Sequence, residues 1–298
     1  MKFKGYLWGC VSSATYGLIP LFGLPVLRKA VSYDSLLFYR FSCAAILLAL
    51  IMFLRKESFK VTKKEVVPLI ILGILFALSA QFLFWSYSFL SVGLASTILF
   101  TYPIFVAMLM AVLFKERISR ISQLAIVVAF SGVCLLYQGD VSINVWGLCI
   151  ILLSALFYAI FIIVVNKSPV KNMQGEKLIF YALSISACFF FIQAQVKGGI
   201  QILPDTESVI NIIMLATIPT VVSCIAMVYA VQYIGSTSTA VLGALEPVTA
   251  VAVGVFAFNE VFSLNLAIGI CFILTAVLLI IMSGRIEKIA RQRSFHNK

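Results

Sequence analysis

Ten runs of roughly 20 mostly apolar residues, separated by short polar stretches, occupy nearly the whole chain. They lie near residues 5–25, 34–54, 66–90, 93–114, 119–137, 145–166, 175–196, 209–233, 237–258 and 265–284. Each is long enough to cross a hydrocarbon core of about 30 Å as an α-helix. A membrane barrel would instead show alternating segments of about ten residues, and the continuous apolar runs exclude it. Numbered spans one to ten in chain order, they predict an all-α integral membrane protein with ten transmembrane helices.

A second pattern lies inside the first. The segment from Trp85 to Ile118 returns 144 positions later as Tyr229 to Phe262, with other side chains but the same punctuation. In the first copy Gly93-Leu94-Ala95-Ser96-Thr97 leads to Tyr102-Pro103, and Glu116 stands thirteen residues past the proline. In the second, Thr237-Ser238-Thr239-Ala240-Val241 leads to Glu246-Pro247, and Glu260 stands thirteen residues past that. Each copy holds five spans, and an odd number of crossings inserts the second copy upside down relative to the first. An inverted-topology repeat with helices broken at matching places is a common plan of secondary transporters. The expected division is 1–139 for the first five-helix repeat, 140–284 for the inverted second and 285–298 for a basic cytoplasmic tail. Gly139-Asp140, with Ser142 and Asn144, reads as the joint between the halves.

Composition agrees with a membrane protein: 62% of the 298 residues are hydrophobic and 11% charged, with mean hydropathy +1.11. A water-soluble domain of this size could not carry such a surface. The net charge of +11 raises the question of a nucleic-acid partner, and the placement of the basic residues answers it. With the N-terminus inside, 18 of 22 Lys and Arg fall on one side, in the groups around Lys2, Lys60, Arg120, Lys171 and Lys288. Only Arg28, Lys29 and Lys197 face the other way, and the acidic residues divide evenly. Such a bias orients a membrane protein, with both termini in the cytoplasm, and no nucleic-acid partner is implied.

Span one follows Lys2 and Lys4 as a signal peptide would, but runs past twenty residues without a small-residue cleavage site, and reads as a retained helix. The seven cysteines stand singly inside spans, without metal-ligand or disulfide-framework spacing, and read as small packing residues. No metal site or cofactor is implied. His296, the single histidine, lies in the tail and reads as a solvated bystander.

With ten spans and two strings of Pro and Glu at matched spacing, the chain resembles the drug/metabolite transporter superfamily, and within it the EamA family. The matching residues are Trp8-Gly9, Arg40-Phe41, Gly93-Leu94-Ala95-Ser96, Pro103 and Glu116-Arg117-Ile118 in the first half. In the second they are Ser154-Ala155, Tyr229, Gln232, Glu246-Pro247 and Asn259-Glu260. Ala125 replaces a glycine common in the family's fifth helix, while Gly269 keeps its counterpart in the tenth. The resemblance covers nearly the whole chain and implies a central cavity between the halves, opened alternately to each side of a bacterial-type inner membrane. It says little about the substrate.

Two ionisable residues sit well inside predicted spans, Arg40 and Glu246. Intramembrane charge costs roughly 2.5–3.5 kcal/mol on insertion scales and so marks candidate function. Glu246 stands near the middle of span nine, where Pro247 removes the hydrogen bond that the carbonyl of Gly243 would otherwise accept. A carboxylate beside freed backbone could hold an ammonium group or load and unload a proton, or could simply fasten a neighbouring helix. Tyr102 is its counterpart in span four, where Pro103 frees the carbonyl of Leu99. Arg40 reads first as a snorkelling side chain near Asp34, and second as a bidentate clamp for a substrate carboxylate.

Hydroxyls precede both breaks: Ser96, Thr97 and Thr101 in one half, Ser236 to Thr239 in the other. Tyr16, Gln81, Trp85, Tyr158, Tyr229 and Gln232 complete the candidate cavity wall, although aromatic side chains are also ordinary at lipid-facing surfaces. Gly93, Gly235 and Gly243 allow close helix approach. Glu116 and Glu260 read as helix-end residues with a structural role, paired with a neighbour such as Arg120.

An intramembrane aspartyl protease needs two embedded Asp, and a rhomboid-type site needs an embedded His; the spans hold neither. A channel would want a continuous polar pore or a ring of charges. No GxxxxGK[ST] loop is present, so energy must come from a gradient. The expected function is secondary transport, in the export direction, of a small metabolite such as an amino acid. A hydrophobic-cation or multidrug exporter is the alternative. Protons, membrane lipid and a second copy of the chain, as a homodimer, are the further partners considered.

Overall fold

The computed structural model describes residues 2–90, 95, 98–116, 118–136, 144–258, 263–265 and 267–279. Gly93, Ser96, Thr97, Arg117, the joint at Gly139-Asp140, Asn259, Glu260 and the basic tail with His296 lie outside them. Among the described residues every regular element is helical. In chain order these are α1 Lys2–Tyr16, α2 Ile19–Arg28, α3 Tyr33–Leu54, α4 Lys63–Ser86, α5 Tyr102–Phe114, α6 Arg120–Leu136 and α7 Val145–Lys167. After a single turn at Pro169–Asn172 come α8 Gly175–Val196, α9 Thr206–Ala216, a π-helical stretch Thr217–Val222 and α10 Ser223–Ile234. Then follow α11 Ser236–Leu242, α12 Leu245–Phe258 and α13 Ala267–Leu279.

Seven of the described helical segments are long and apolar enough to cross a membrane, and they coincide with predicted spans one, two, three, six, seven, eight and nine. The shorter apolar helices α5, α6 and α13 fall in spans four, five and ten. Local chemistry sets where helices start. Ser32 caps α3 by accepting from the Ser35 N–H, and Asn144 caps α7 by accepting from the N–H groups of Trp146 and Gly147 at 2.9 and 3.2 Å. Thr62 and Glu65 form a reciprocal box at the start of α4, with the Thr62 N–H donating to Glu65 Oε2 at 2.7 Å. Each satisfies backbone donors that a first turn leaves unpaired.

Span one is not the unbroken helix expected. It divides at Gly17-Leu18 into α1 and α2, with Pro20 in the first turn of α2, where its missing N–H costs nothing. Gly17 is there because a Cβ would strike the Glu246 carbonyl and the Thr249 side chain. Span eight carries the π-helical stretch around Pro219, another break that the apolar pattern does not announce.

The principal packing partners are α3 with α8, α1 with α10, and α4 with α7. Small residues let these pairs close. Gly5 meets Tyr233 and Ile234, while Gly147 meets Phe89 and Leu90. Ser154 Oγ donates to the Ser79 carbonyl at 2.7 Å, and Ser223 Oγ donates to the Ser12 carbonyl at 2.9 Å. With lipid as apolar as leucine, such close contacts and interhelical hydrogen bonds drive helix association. The cysteines do not all pack inside: Cys134, Cys149, Cys188 and Cys271 are exposed.

Candidate functional site

Both proline-marked helices break where the sequence places the punctuation. The chain turns at Phe100-Thr101 before α5, with Pro103 in its first turn, and at Gly243-Ala244 between α11 and α12, just before Glu246-Pro247. One detail differs from expectation. The carbonyl of Gly243 is not left free, because the Glu246 N–H donates to it at 2.9 Å in a tight turn. The carboxylate, rather than exposed backbone, is therefore the polar feature of this break.

The two breaks meet. Tyr102 Oη donates to Glu246 Oε1 across 3.4 Å, and the hydroxyl lies so close to Gly243 that a Cβ there would overlap it. Tyr158 closes the arrangement, with its ring edge-on to Tyr102 at 4.8 Å and stacked on Tyr16 at 6.1 Å. Tyr102 and Tyr16, from α5 and α1, line one cavity with the carboxylate on α12, in the middle of the apolar segment Ser236–Ala257, and Tyr158 of α7 packs on both of them.

Glu246 lines a cavity of about 540 Å³, a volume that includes its open mouth. Tyr16, Tyr102, Leu83, Leu99 and Phe100 form the wall around the acid, and Ile19, Pro20, Tyr87 and Ala250 continue it away from the break. α2 runs from Ile19 to Arg28, and the following Lys29 pairs with Asp205 and Glu207 at 2.7 and 2.6 Å. The cavity therefore extends toward the end of the bundle that carries Asp205. Apolar and aromatic walls with one acidic group are the usual make-up of a small-molecule pocket.

Arg40 does not snorkel. It is 2% exposed, and its Nε donates to Thr220 Oγ1 at 2.7 Å, while Thr220, inside the π-helical stretch, donates from Oγ1 to the Leu215 carbonyl of α9. The guanidinium stands 5.9 Å from the Tyr16 ring centre and 5.3 Å from that of Phe41. Its Nη2 has no hydrogen-bond partner. Arg40 lines a small cavity on the other side of Tyr16, which shares Tyr16, Leu83 and Leu99 with the larger one. Thr220 was not singled out from sequence, and Pro219 beside it was the available signal.

Other expected wall residues lie elsewhere. Trp85 is 42% exposed and packs against Phe82 and Phe89, away from the cavity. Tyr229 donates to Glu176 Oε2 at 2.6 Å and packs on Trp8, and Gln232 Nε2 donates to the Met173 carbonyl at 2.8 Å. Gln81 Oε1 and Thr101 Oγ1 are buried without a partner, but neither residue lines the cavity. In the hydroxyl run before Glu246, Ser236 accepts from Asn166 Nδ2 at 3.2 Å, Thr239 bonds back to the Gly235 carbonyl, and Thr237 Oγ1 is buried without a partner; none of the three lines the cavity. Glu116 pairs with Lys167 at 3.4 Å rather than with Arg120.

The ends of the bundle are tied differently. At one, Lys29 holds Asp205 and Glu207, and Lys197 holds Asp34 at 2.9 Å. The bonds from Lys29 and from the Ser208 N–H hold the Asp205 carboxyl at about 2, and the bonds to Asp205 and Glu207 raise Lys29. At the other, Glu176 joins Arg55 at 3.3 Å and Tyr229, above the close contact of Gly9 with Leu242. These contacts tie the helices together at this end, and none of the residues that make them lines the Glu246 cavity; a separate cavity lined by Phe59, Val61, Leu69 and Tyr181 lies beside them.

The model of the EamA-like transporter family matches residues 3–138 and again residues 145–282. Two proteins of Archaeoglobus fulgidus, each described as an uncharacterized transporter, are similar to this chain. One is 27% identical over 188 residues, which is 63% of this chain and 66% of the relative. The other is 31% identical over 124 residues, 41% of this chain and 43% of the relative. The matches thus span less than two thirds of those relatives. A crystal structure of a further protein superposes with a TM-score of 0.80 over 94% of this chain and 97% of the other, at 16% identity, a likeness of fold alone.

Proposed function

Because the chain belongs to the EamA-like transporter family, a family of multi-pass membrane proteins, we propose that it exports a small ammonium-bearing metabolite, such as an amino acid, by alternating access. The observation that carries this reading is Glu246: a carboxylate in mid-segment, bonded by Tyr102 and open to one side through a cavity walled also by Tyr16, Tyr87 and Phe100. A carboxylate attracts a cation, aromatic faces add to that attraction, and the apolar walls accept a hydrocarbon side chain.

Alternating access is supported by pairs of contacts related by the sequence offset. Gly5 and Gly147 are 142 positions apart, and their partners Phe89-Leu90 and Tyr233-Ile234 are 144 apart. The serine pairs Ser12 with Ser223 and Ser79 with Ser154 exchange in the same way, and so do the breaks carrying Tyr102 and Glu246. Such exchange is what two inverted five-helix repeats around a shared axis would produce, ten spans in all, with rocking about that axis exposing Glu246 to each side in turn. With both termini cytoplasmic in a bacterial inner membrane, as the Lys/Arg bias orients the chain, the Asp205 end faces outward and the Glu176 end, the shut one, faces in.

A hydrophobic-cation exporter is the second reading, favoured by the mostly apolar cavity wall. Counterflow in proteoliposomes decides between the classes. Saturable exchange of radiolabelled amino acids, with conductance below about a thousand ions per second, is expected. Exchange restricted to lipophilic cations would support the second reading, and ohmic conductance would overturn both.

A further inference from the structure

Arg40 is the feature that the ammonium-binding reading leaves unused. Its counterparts at the repeat offsets, positions 182–184, are Ala182, Leu183 and Ser184. Arg40 and Glu246 are thus both charged departures from an otherwise duplicated scaffold, of opposite sign. The guanidinium is 2% exposed, no carboxylate of the described residues lies within 4.0 Å of it, and Nη2 lacks a partner. The Tyr16 and Phe41 rings give the guanidinium cation–π contact but no counter-charge, and a buried donor without an acceptor is rare in a native interior. Simple anchoring of α3 to the π-helical stretch would need only the Nε bond to Thr220.

Thr220 fixes one edge of the guanidinium, which leaves the other edge to face the small cavity lined also by Tyr16, Ser79 and Tyr158. A planar fork with free N–H groups is the standard partner for a carboxylate, and an Arg held from behind presents that fork with little entropy left to lose. The π-helical stretch that carries Thr220 is a feature frequent at functional sites.

We propose that Arg40, oriented by Thr220, is a carboxylate subsite, so that the transported solute is a zwitterion with its acid end at Arg40 and its ammonium end at Glu246. Tyr16, shared by both cavities, stands between the two ends and must turn or be straddled by the solute. This inference rests on the ammonium-binding role of Glu246.

Matched probes test it: leucine against isoamylamine, and 6-aminohexanoate against hexylamine, so that short and long separations of the two charges are both covered. Competition in proteoliposome counterflow should show at least one acid preferred over its amine by roughly tenfold or more, the scale of a charge-assisted bidentate contact. Arg40→Gln should narrow that preference to within about threefold while amine competition persists. Thr220→Val, which removes the acceptor that holds Nε, should narrow it partway and serves if the Arg40 variant does not fold. Wild-type protein taking each amine as well as its acid would overturn the subsite while leaving the Glu246 reading intact, as would a preference that survives both variants. Failure of acids and amines alike would remove the Glu246 reading, and this inference with it.

Discussion

The two proline-marked breaks share a backbone plan and, among side chains that mostly differ, part chemically at the residue before the proline. Before α5 the chain presents Tyr102, and at the start of α12 it presents Glu246, with a proline immediately after each. They touch across 3.4 Å, so whatever enters the cavity meets both. Their neighbours Tyr16 and Tyr158 also occupy matched positions, 142 residues apart, and stack on one another. Duplication thus supplies the hollow and its hydroxyl-bearing walls, while a single departure supplies the charge. In a repeat protein the chemistry is sought where the copies disagree.

The largest effect on this junction should come from filling it. Gly17→Val puts a side chain against the Glu246 carbonyl and Thr249, and backbone there cannot yield, so a destabilisation of about 1–3 kcal/mol is expected. Thermal unfolding of the purified protein measures it; an unchanged melting temperature would mean that α1 and α12 are not locked at the break. Next in size is the shut end. Tyr229→Phe removes the hydroxyl that donates to Glu176 at 2.6 Å, and should cost about 1 kcal/mol, read as a lower melting temperature. An unchanged melting temperature would sink the idea that this contact helps close the bundle.

A smaller effect separates the breaks themselves. Tyr102→Phe keeps the ring that packs on Tyr158 and removes a long hydrogen bond, so apparent affinity in counterflow should fall by no more than about tenfold. A complete loss would mean that the tyrosine, not the acid, governs binding. The smallest effect is at the exposed Lys29–Asp205 contact. Asp205 is depressed to about 2 from an ordinary value near 3.9, so its contribution is present above about pH 4 and lost as pH falls toward 2. Lys29 is raised, so its part is present at neutral pH and lost only in strong alkali. Melting of wild type and Lys29→Ala should therefore differ slightly at pH 6–8, and the difference should shrink below pH 4. A gap that widened on acidification would reverse the assigned sign.

Helix positions and both proline breaks were legible from the chain, because apolar length and proline chemistry are local. The break at Gly17 and the π-helical stretch at Thr217–Val222 are not, even though Pro20 and Pro219 lie inside spans one and eight, because an apolar run continues across a proline and neighbouring helices can re-satisfy the backbone it frees. Facing was the harder matter. Lipid and protein interior are both apolar, so periodicity could not tell that Trp85 turns outward or that Arg40 turns in. An aromatic ring at a matched repeat position suggests the cavity wall for Tyr229, and an amide's need of a partner suggests it for Gln232, but Glu176 and the Met173 carbonyl, far away in sequence, hold them at the shut end.

The most direct measurement is counterflow by Glu246→Gln beside wild type in proteoliposomes of matched protein content, with thermal unfolding to show that both are folded. Gln keeps the shape and the bond to Tyr102 but carries no charge. If the carboxylate holds the solute's ammonium group, the folded variant should lose at least about a hundredfold in exchange rate, the scale of a lost desolvated charge pair. A folded Glu246→Gln protein that exchanges amino acids at the wild-type rate would contradict that role.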